Sequence, residues 1–344
     1  TDAIRKRCEN EVLGYTGKPD SYYNAIINWV KQRYDLVVAK EMINFVPGIV
    51  PGIGMAMNCF TQKGDKVMIQ PPVYHPFAWV TTRNERTLVT NPLKWENGMY
   101  RMDLDTFREQ IKGCKLFILC NPHNPGGVVW TEAELRAIAD ICYDEKVLVF
   151  SDEIHADLTL PPHTHRPFAT VSEKARMNSV TFMSPSKAFN MPGLSASHAL
   201  IFNEDLRKRF RIYMDAGELD MGHVFAFLSV EAAYSHGTEW LDQCLAYIQG
   251  NIDFVDEFLK NHAPKIKAIR PEASYLVWLD CRELKLSQKD LNEFFVDKAH
   301  LALNDGEMFG KEGIGFMRLN VASPRCIIEK AMKQLADAYQ LYIK

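Results

Sequence analysis

The sequence lacks several features that would point to particular classes of protein. It has no Cys-x-x-Cys pair among its eight cysteines, and its formal net charge is only −3. Scattered cysteines inside apolar runs are typical of free thiols in a reducing compartment, so we expect a cytoplasmic protein without disulfides. The small net charge gives no reason to expect nucleic acid or an anionic membrane as a partner.

Long apolar segments are also absent. No run approaches the roughly 18–20 residues of a membrane span, and the first residues lack the apolar core of a signal peptide. The chain begins without Met, inside a predicted helix, and we expect that further residues precede it. His163 and His165 lie two residues apart, but no third or fourth ligand stands at a suitable spacing, so we predict no metal and place both at the surface.

What the sequence does contain is typical of an ordinary soluble globular protein. Its 344 residues, 47% hydrophobic and 24% charged, are enough for two domains. From about Leu241 the pattern changes to a long helix, two strands near 274–279 and 315–320, and a last helix over 324–339. We therefore predict an N-terminal segment (1–16), a large domain (17–240) and a small domain (241–344).

Three apolar runs in the large domain end at polar clusters. The runs 116–120, 147–151 and 179–183 stop at Asn121, Asp152 and Ser184, as strands covered on both faces should. A helix that starts with a capping box at Thr131 connects the first two runs, which predicts a parallel βαβ unit. Open α/β sheets bind ligands at the carboxyl ends of their strands, so these clusters predict a site that includes Lys187.

The segments Asn-Pro-His-Asn-Pro (121–125), Ser-Asp-Glu-Ile-His (151–155) and Ser-Pro-Ser-Lys-Ala-Phe-Asn (184–190) carry a family resemblance. In this order they resemble the fold-type-I pyridoxal phosphate (PLP) enzymes of the class I/II aminotransferase superfamily. The residues of these segments are most similar to those of the cystathionine β-lyase (C–S lyase) branch. The resemblance implies an α/β fold: a large PLP-binding domain with a mostly parallel seven-stranded sheet, and a smaller α+β C-terminal domain.

The resemblance implies roles for most of the predicted site. Lys187 holds PLP through its amine and acts as the catalytic base, while Asp152 keeps the ring nitrogen protonated. Asn124 and His155 contact the 3′ oxygen of the ring. Tyr74 stacks on the ring.

The phosphate of the cofactor is implied to lie at a Gly/Pro-rich turn before a helix. Its expected ligands are the backbone amides of Gly48, Ile49 and Val50, with the Ser184 hydroxyl. Many aminotransferases have a phosphate-binding arginine eight residues after the lysine, where this sequence has Ser195. Tyr15 is implied to reach the phosphate in the partner's site, which requires a homodimer, and we count it among the catalytic and substrate-binding residues.

Arg318 is implied to bind the α-carboxylate of an amino acid substrate as a bidentate fork. The expected reaction is β-elimination from cystathionine or another cysteine S-conjugate, giving a thiol, pyruvate and ammonia. Transamination between an L-amino acid and a 2-oxo acid needs the same lysine, aspartate and arginine and stays open. A regulatory role through protein binding is a third alternative, since some relatives of this branch are thought to act that way.

Overall fold

The computed structural model describes residues 1–342 and contains two main sheets surrounded by helices. The helices are α1 (Asp2–Cys8), α2 (Asp20–Tyr34), α3 (Ile49–Phe60), α4 (Pro76–Arg83), α5 (Leu104–Gln110), α6 (Glu132–Asp144), α7 (Glu173–Met177), α8 (Glu204–Ala216), α9 (Val224–His236), α10 (Thr238–His262), α11 (Gln288–Glu293) and α12 (Arg325–Tyr342). Across these residues, no helix combines the length and the apolarity that a membrane crossing requires.

The larger sheet has seven strands. They are β1 (Ile43–Val46), β2 (Lys66–Ile69), β3 (Thr87–Thr90), β6 (Cys114–Cys120), β7 (Leu148–Asp152), β8 (Ser179–Met183) and β9 (Ser197–Leu200). Their order is β1-β9-β8-β7-β6-β2-β3, and only β9 runs antiparallel to its neighbours. The predicted mostly parallel seven-stranded sheet is confirmed.

Both faces of this sheet are covered, which explains the unbroken apolar runs of its central strands. On β6, Leu116 and Ile118 pack with residues of α3 and α8 on one face. Phe117 and Leu119 point the other way and pack with α6 and with Trp278 of the smaller sheet. Alternate residues of a strand point to opposite faces, so a strand buried on both faces must be apolar throughout.

The approach of α3 to the sheet is especially close. A Cβ atom on Gly52 would lie 2.9 Å from Cγ2 of Val46 and 3.2 Å from Cε1 of Phe182. A side chain at this position would therefore push the helix away from β1 and β8. Glycine here fixes how closely the N-terminus of α3 approaches the ends of the central strands.

The predicted helix after Thr131 begins with the expected capping box. The amide of Glu134 donates to Thr131 Oγ1 at 3.2 Å, and the Thr131 amide donates to Glu134 Oε2 at 2.8 Å. This helix, α6, links β6 to β7, which pair in parallel. The local sequence signal and the tertiary connection therefore agree.

The smaller sheet is antiparallel and four-stranded. Its strands are β10 (Lys267–Ile269), β11 (Leu276–Asp280), β12 (Asn304–Asp305) and β13 (Phe316–Asn320), in the order β10-β11-β13-β12. Two short strands, β4 (Lys94–Glu96) and β5 (Met99–Arg101), form a separate hairpin. In the register of the small sheet, Arg318 of β13 lies opposite both Trp278 and Asn304.

Candidate active site

A cavity of about 470 Å³ lies where the carboxyl ends of β6 and β7 and the segment after β8 meet the start of α3 and the strand β13. Nine of the eleven site residues predicted from the sequence line it. These nine are Gly48, Ile49, Val50, Tyr74, Asn124, Asp152, His155, Lys187 and Arg318. The other two, Ser184 and Tyr15, lie outside its lining.

The start of α3 is suited to hold an anion. Gly48 precedes the helix with φ 119° and ψ 156°, a conformation that favours glycine, and no side chain caps the helix. The first amides of an α-helix have no carbonyl partner within the helix, and Pro51 has no amide to offer. The amides of Gly48, Ile49 and Val50 are therefore the groups available for a phosphate.

Lys187 lies in the turn that follows β8. The Met191 amide donates to the Ser186 carbonyl oxygen at 2.9 Å, and the Phe189 amide donates to that of Pro185 at 2.8 Å, so the backbone around the lysine is folded on itself. Burial, and next the positive charge of Arg318, lower the pKa of Lys187, while Asp152 opposes this shift. A lowered pKa increases the fraction of neutral amine, which is the nucleophilic and basic form.

Asp152 ends β7 and is buried. Its Oδ1 accepts a hydrogen bond from the Ile154 amide at 3.1 Å. Burial raises the pKa of Asp152 to about 7, because little in its surroundings replaces the water that would solvate the carboxylate. A cationic ligand group beside this carboxyl would restore its ionised form.

His155 and Asn124 also line the cavity. In the sequence Asn124 precedes Asp152 and His155 follows it. Burial, followed by the charges of Lys187 and Arg318, lowers the pKa of His155 to about 3, so its imidazole is neutral. Its Nδ1 is buried and has no hydrogen-bond partner among residues 1–342. Such an unpartnered polar atom is costly unless a ligand meets it.

Arg318 is a cation without an acidic partner. Within the described part of the chain no Asp or Glu forms a salt bridge with it; its Nη1 and Nη2 donate to Asn124 Oδ1 and Asn304 Oδ1, each at 2.8 Å. The guanidinium carbon lies 4.6 Å from the centre of the Phe309 ring. Burial lowers the pKa of Arg318 to about 10, and its Nε is buried without a partner. A partly buried cation held only by neutral groups is suited to bind an anion.

Ser184 makes two hydrogen bonds within the protein, and its predicted contact with the cofactor phosphate stays a prediction. Its hydroxyl donates to the Ala196 carbonyl oxygen at 2.8 Å and accepts from the Ser186 amide at 3.1 Å. These two bonds shape the turn that carries Lys187. The serines that line the cavity are Ser186, Ser195 and Ser197.

Ser195 and Ser197 were missed as site residues in the sequence. Ser197 begins β9 directly opposite Val46 in the register, two residues before Gly48, so it borders the amides at the start of α3. Ser195 takes a left-handed conformation, with φ 48°. The sequence shows that position 195 lacks the usual arginine. Only the pairing of β1 with β9 shows which residues lie beside the amides at the start of α3.

Tyr15 is almost fully exposed, at 98% of its possible surface. It lies in the segment 9–19, which contains no helix or strand, beside a second group of residues at 221–225. It does not line the cavity of its own chain. Its predicted contact with a partner's site stays a prediction.

The surface position predicted for His165 is wrong. His165 is buried, and its Nε2 lies 2.8 Å from Glu153 Oε2. Glu153 is buried too and also accepts from the Ser151 hydroxyl and the Phe168 amide. These hydrogen bonds hold the loop after β7 in place and thereby support the position of His155.

Comparison with known proteins agrees with this geometry. The model for aminotransferase class I and II matches residues 5–335. The chain belongs to this family. It is 37% identical over 340 residues to the cystathionine β-lyase PatB of Bacillus subtilis, with 98% of this chain and 88% of PatB covered.

Two solved structures of this family have nearly the same fold. A PLP-bound protein of Clostridium difficile 630, provisionally named an aminotransferase, has a TM-score of 0.96 at 40% identity, with 98% of this chain and 88% of that chain covered. Cystalysin of Treponema denticola, which contains a pyridoxal 5′-phosphate cofactor, has a TM-score of 0.96 at 34% identity, with 100% and 87% covered. The predicted resemblance to this superfamily and its C–S lyase branch is confirmed.

Proposed function

We propose that this protein is a PLP-dependent carbon–sulfur β-lyase acting on cysteine S-conjugates such as cystathionine. The observation that carries the proposal is the convergence of Lys187, Asp152 and Arg318 on one cavity. An amine, a carboxyl and a guanidinium from three separate segments line the same space. The similarity to PatB, which is named as a cystathionine β-lyase, supports elimination as the reaction.

The residues of the cavity fit PLP. The free amides at the start of α3 suit its phosphate, Tyr74 offers an aromatic face, and Asp152 offers a carboxyl to the ring nitrogen. The buried, unpartnered Nδ1 of His155 is a further polar atom that a ligand could satisfy. When bound, PLP supplies an acceptor for the electron pair that remains on the α-carbon of the substrate after proton removal.

The protein's own residues bind the substrate and move its proton. Arg318 binds the α-carboxylate, and the Lys187 amine, with its lowered pKa, removes the α-proton. The Asp152 carboxylate stabilises a proton on the ring nitrogen of the cofactor. The Cα–H and Cβ–S bonds break, and with one water the S-conjugate yields a thiol, pyruvate and ammonium.

Transamination is the second candidate function, supported by the name of the Clostridium difficile relative. A single experiment separates the two. Purified protein with PLP and L-cystathionine is expected to release pyruvate over many turnovers without an added 2-oxo acid. Consumption of cystathionine that yields no pyruvate, stops after one turnover and restarts with an added 2-oxo acid would instead establish an aminotransferase.

Lys187→Ala tests the central assignment. We expect this variant to lose turnover and to lose covalent PLP after borohydride reduction, as measured by the mass of the intact chain. A reduced adduct of unchanged yield on the variant would move the attachment site to another lysine.

A homodimer with shared active sites is part of the proposal. Tyr15 is exposed and lies in a segment with further exposed apolar residues, Val12 and Leu13. A partner subunit that covers this segment would remove apolar surface from water and bring Tyr15 to the partner's phosphate site.

We further propose that the enzyme is cytoplasmic, which its free cysteines support. We also propose the division into a segment 1–16, a large domain 17–240 and a small domain 241–344. The seven-stranded sheet lies within 43–200 and the four-stranded sheet within 267–320, which supports this division.

A further inference from the structure

A second cavity, of about 330 Å³, adjoins the candidate active site. The two cavities share part of their lining, and Lys187 is among the residues that border both. The shared residues are Ser186, Lys187, Pro192, Tyr275 and Asn320.

One side of this second cavity is formed by a face of α10. Trp240, Cys244, Tyr247 and Ile248 all line it, and their spacing of four, seven and eight residues places them on one side of a helix. Leu158 adds a further apolar group. The cavity therefore presents aromatic rings and aliphatic groups rather than ion-pairing side chains.

Its polar groups are mostly uncharged; they belong to Ser186, Asn190, Cys244, Tyr247, Tyr275, Asn320 and Ser323. Among the described residues that line it, Lys187 is the only one with a side chain charged at neutral pH. The Tyr247 hydroxyl accepts a hydrogen bond from the Arg325 amide at 2.6 Å, and Asn320 Oδ1 accepts from the Ala322 amide at 2.9 Å. Burial raises the pKa of the Cys244 thiol, which keeps it neutral.

The position of this cavity relative to the chemistry suggests what enters it. Arg318 and Asn320 are two residues apart on β13 and so lie on the same face, the first in the active-site cavity and the second in both cavities. A substrate with its carboxylate at Arg318 has its α-carbon near Lys187. In β-elimination the breaking Cα–H and Cβ–S bonds must be aligned for their orbitals to overlap. A sulfur substituent on the Lys187 side is one arrangement that meets this requirement, and Lys187 also lines the second cavity.

We propose that this cavity binds the sulfur substituent of the substrate and selects uncharged apolar groups, such as aryl or benzyl thioethers. This inference rests on the proposed β-elimination and names the substrate class that fits it. Its volume of about 330 Å³ exceeds the roughly 150 Å³ that holds benzene in an engineered protein cavity. The far end of cystathionine carries an ammonium and a carboxylate, for which the lining offers no pair of opposite charges.

Kinetics with three substrates test the proposal on the PLP-loaded enzyme. We expect kcat/KM for S-phenyl-L-cysteine to exceed that for L-cystathionine by about tenfold or more, which corresponds to about 1.4 kcal/mol. Cys244→Asp places a charge in the cavity and is expected to lower the ratio of kcat/KM for S-phenyl- over S-methyl-L-cysteine about tenfold. The matched control Cys326→Asp alters an exposed cysteine on α12 and should leave this ratio within about twofold.

Binding supplies a readout that does not depend on turnover. L-Homophenylalanine replaces the sulfur of S-phenyl-L-cysteine by carbon and cannot eliminate, so titration calorimetry gives its dissociation constant directly. We expect Cys244→Asp to weaken this binding about tenfold and Cys326→Asp to leave it unchanged. If Cys244→Asp does not fold, Ala322→Asp, at an exposed position of the same lining, takes its place.

The outcomes separate this inference from the proposed function. One outcome would overturn the cavity's role and leave the lyase intact. In it the enzyme releases pyruvate from S-methyl-L-cysteine, but the cavity variant keeps the wild-type ratio of kcat/KM for the S-phenyl and S-methyl substrates and binds homophenylalanine unchanged. A wild-type preference for cystathionine over S-phenyl-L-cysteine would also overturn it. Absence of pyruvate from every substrate would overturn the lyase, and homophenylalanine binding would then decide alone whether the cavity accepts an aryl group.

Discussion

Removal of the guanidinium at position 318 is the sharpest test of substrate recognition. In Arg318→Ala the cavity loses the one cation that we assign to the α-carboxylate, together with the hydrogen bonds to Asn124 and Asn304. Because burial already lowers the pKa of this arginine to about 10, the free protein carries a partly desolvated charge that has no anionic partner in residues 1–342. The variant should therefore lose substrate binding without losing much stability.

The magnitude follows from the hydrogen bonds at stake. A hydrogen bond to a charged group contributes about 1.5–3 kcal/mol, and a bidentate fork makes two. Arg318 is only partly buried, and in the free enzyme its donors are already used on two asparagines, so we take a net loss of about 3 kcal/mol. At about 1.4 kcal/mol for each factor of ten, KM should rise roughly 100-fold.

The assay follows pyruvate from S-methyl-L-cysteine over a range of concentrations wide enough to define KM. Arg282→Ala is the matched control, since Arg282 is also an arginine beside the small sheet, but it pairs with Asp280 and does not line the cavity. Its KM should stay within about twofold of wild type. An unchanged KM in Arg318→Ala, or a loss of activity that merely follows a lower Tm, would refute the assignment of this arginine to the carboxylate.

Three further predictions follow from particular contacts. Burial raises the pKa of Asp152 to about 7, so this carboxyl destabilises the cofactor-free protein increasingly as pH rises from about 4 to about 7. Asp152→Asn should therefore raise Tm at pH 8 and change it less at pH 5.5. Gly52→Ala should lower the free energy of unfolding by about 1–3 kcal/mol, because its Cβ would lie 2.9 Å from a sheet side chain. In the control Gly250→Ala, in α10, the nearest neighbour of the new Cβ lies at 3.5 Å, so this variant should be neutral or stabilising in the same thermal melts. Inactive Tyr15→Ala and Lys187→Ala proteins, once mixed and allowed to exchange subunits, should recover up to about a quarter of wild-type activity, because half of the dimers then contain one intact site; no recovery despite measured exchange would rule out sites shared between subunits.

Several elements could be predicted from the sequence because their signals are local. The strands β6, β7 and β8 are continuous apolar runs that end in polar clusters, and the run ends at Cys120 and Met183 match the strand ends. The capping box of α6 spans four consecutive residues, and its geometry depends only on the first turn of the helix.

Other features were not predictable because they depend on which segments come together. His165 stands in a proline-rich loop, yet it is buried, because its imidazole and the amide of Phe168 in the same loop both bond to the buried Glu153. The Ser184 hydroxyl is taken up by the backbone of Ala196, which arrives with the next strand. The hairpin β4–β5 has strands of only three residues, too short for a periodic pattern to identify.

The sequence by itself determined the kind of sheet, the segments that bear the chemistry and the membership of the family, because burial on both faces and compact motifs leave marks within a few residues. Only the tertiary structure decided which serines lie beside the amides of α3, which asparagines hold Arg318, and that a face of α10 forms an apolar cavity next to Lys187. These arrangements depend on contacts between residues far apart in the chain, such as Arg318 with Asn124, and no local pattern encodes them. The predicted residues therefore indicate what reaction the site supports, and the fold determines which substrate it fits.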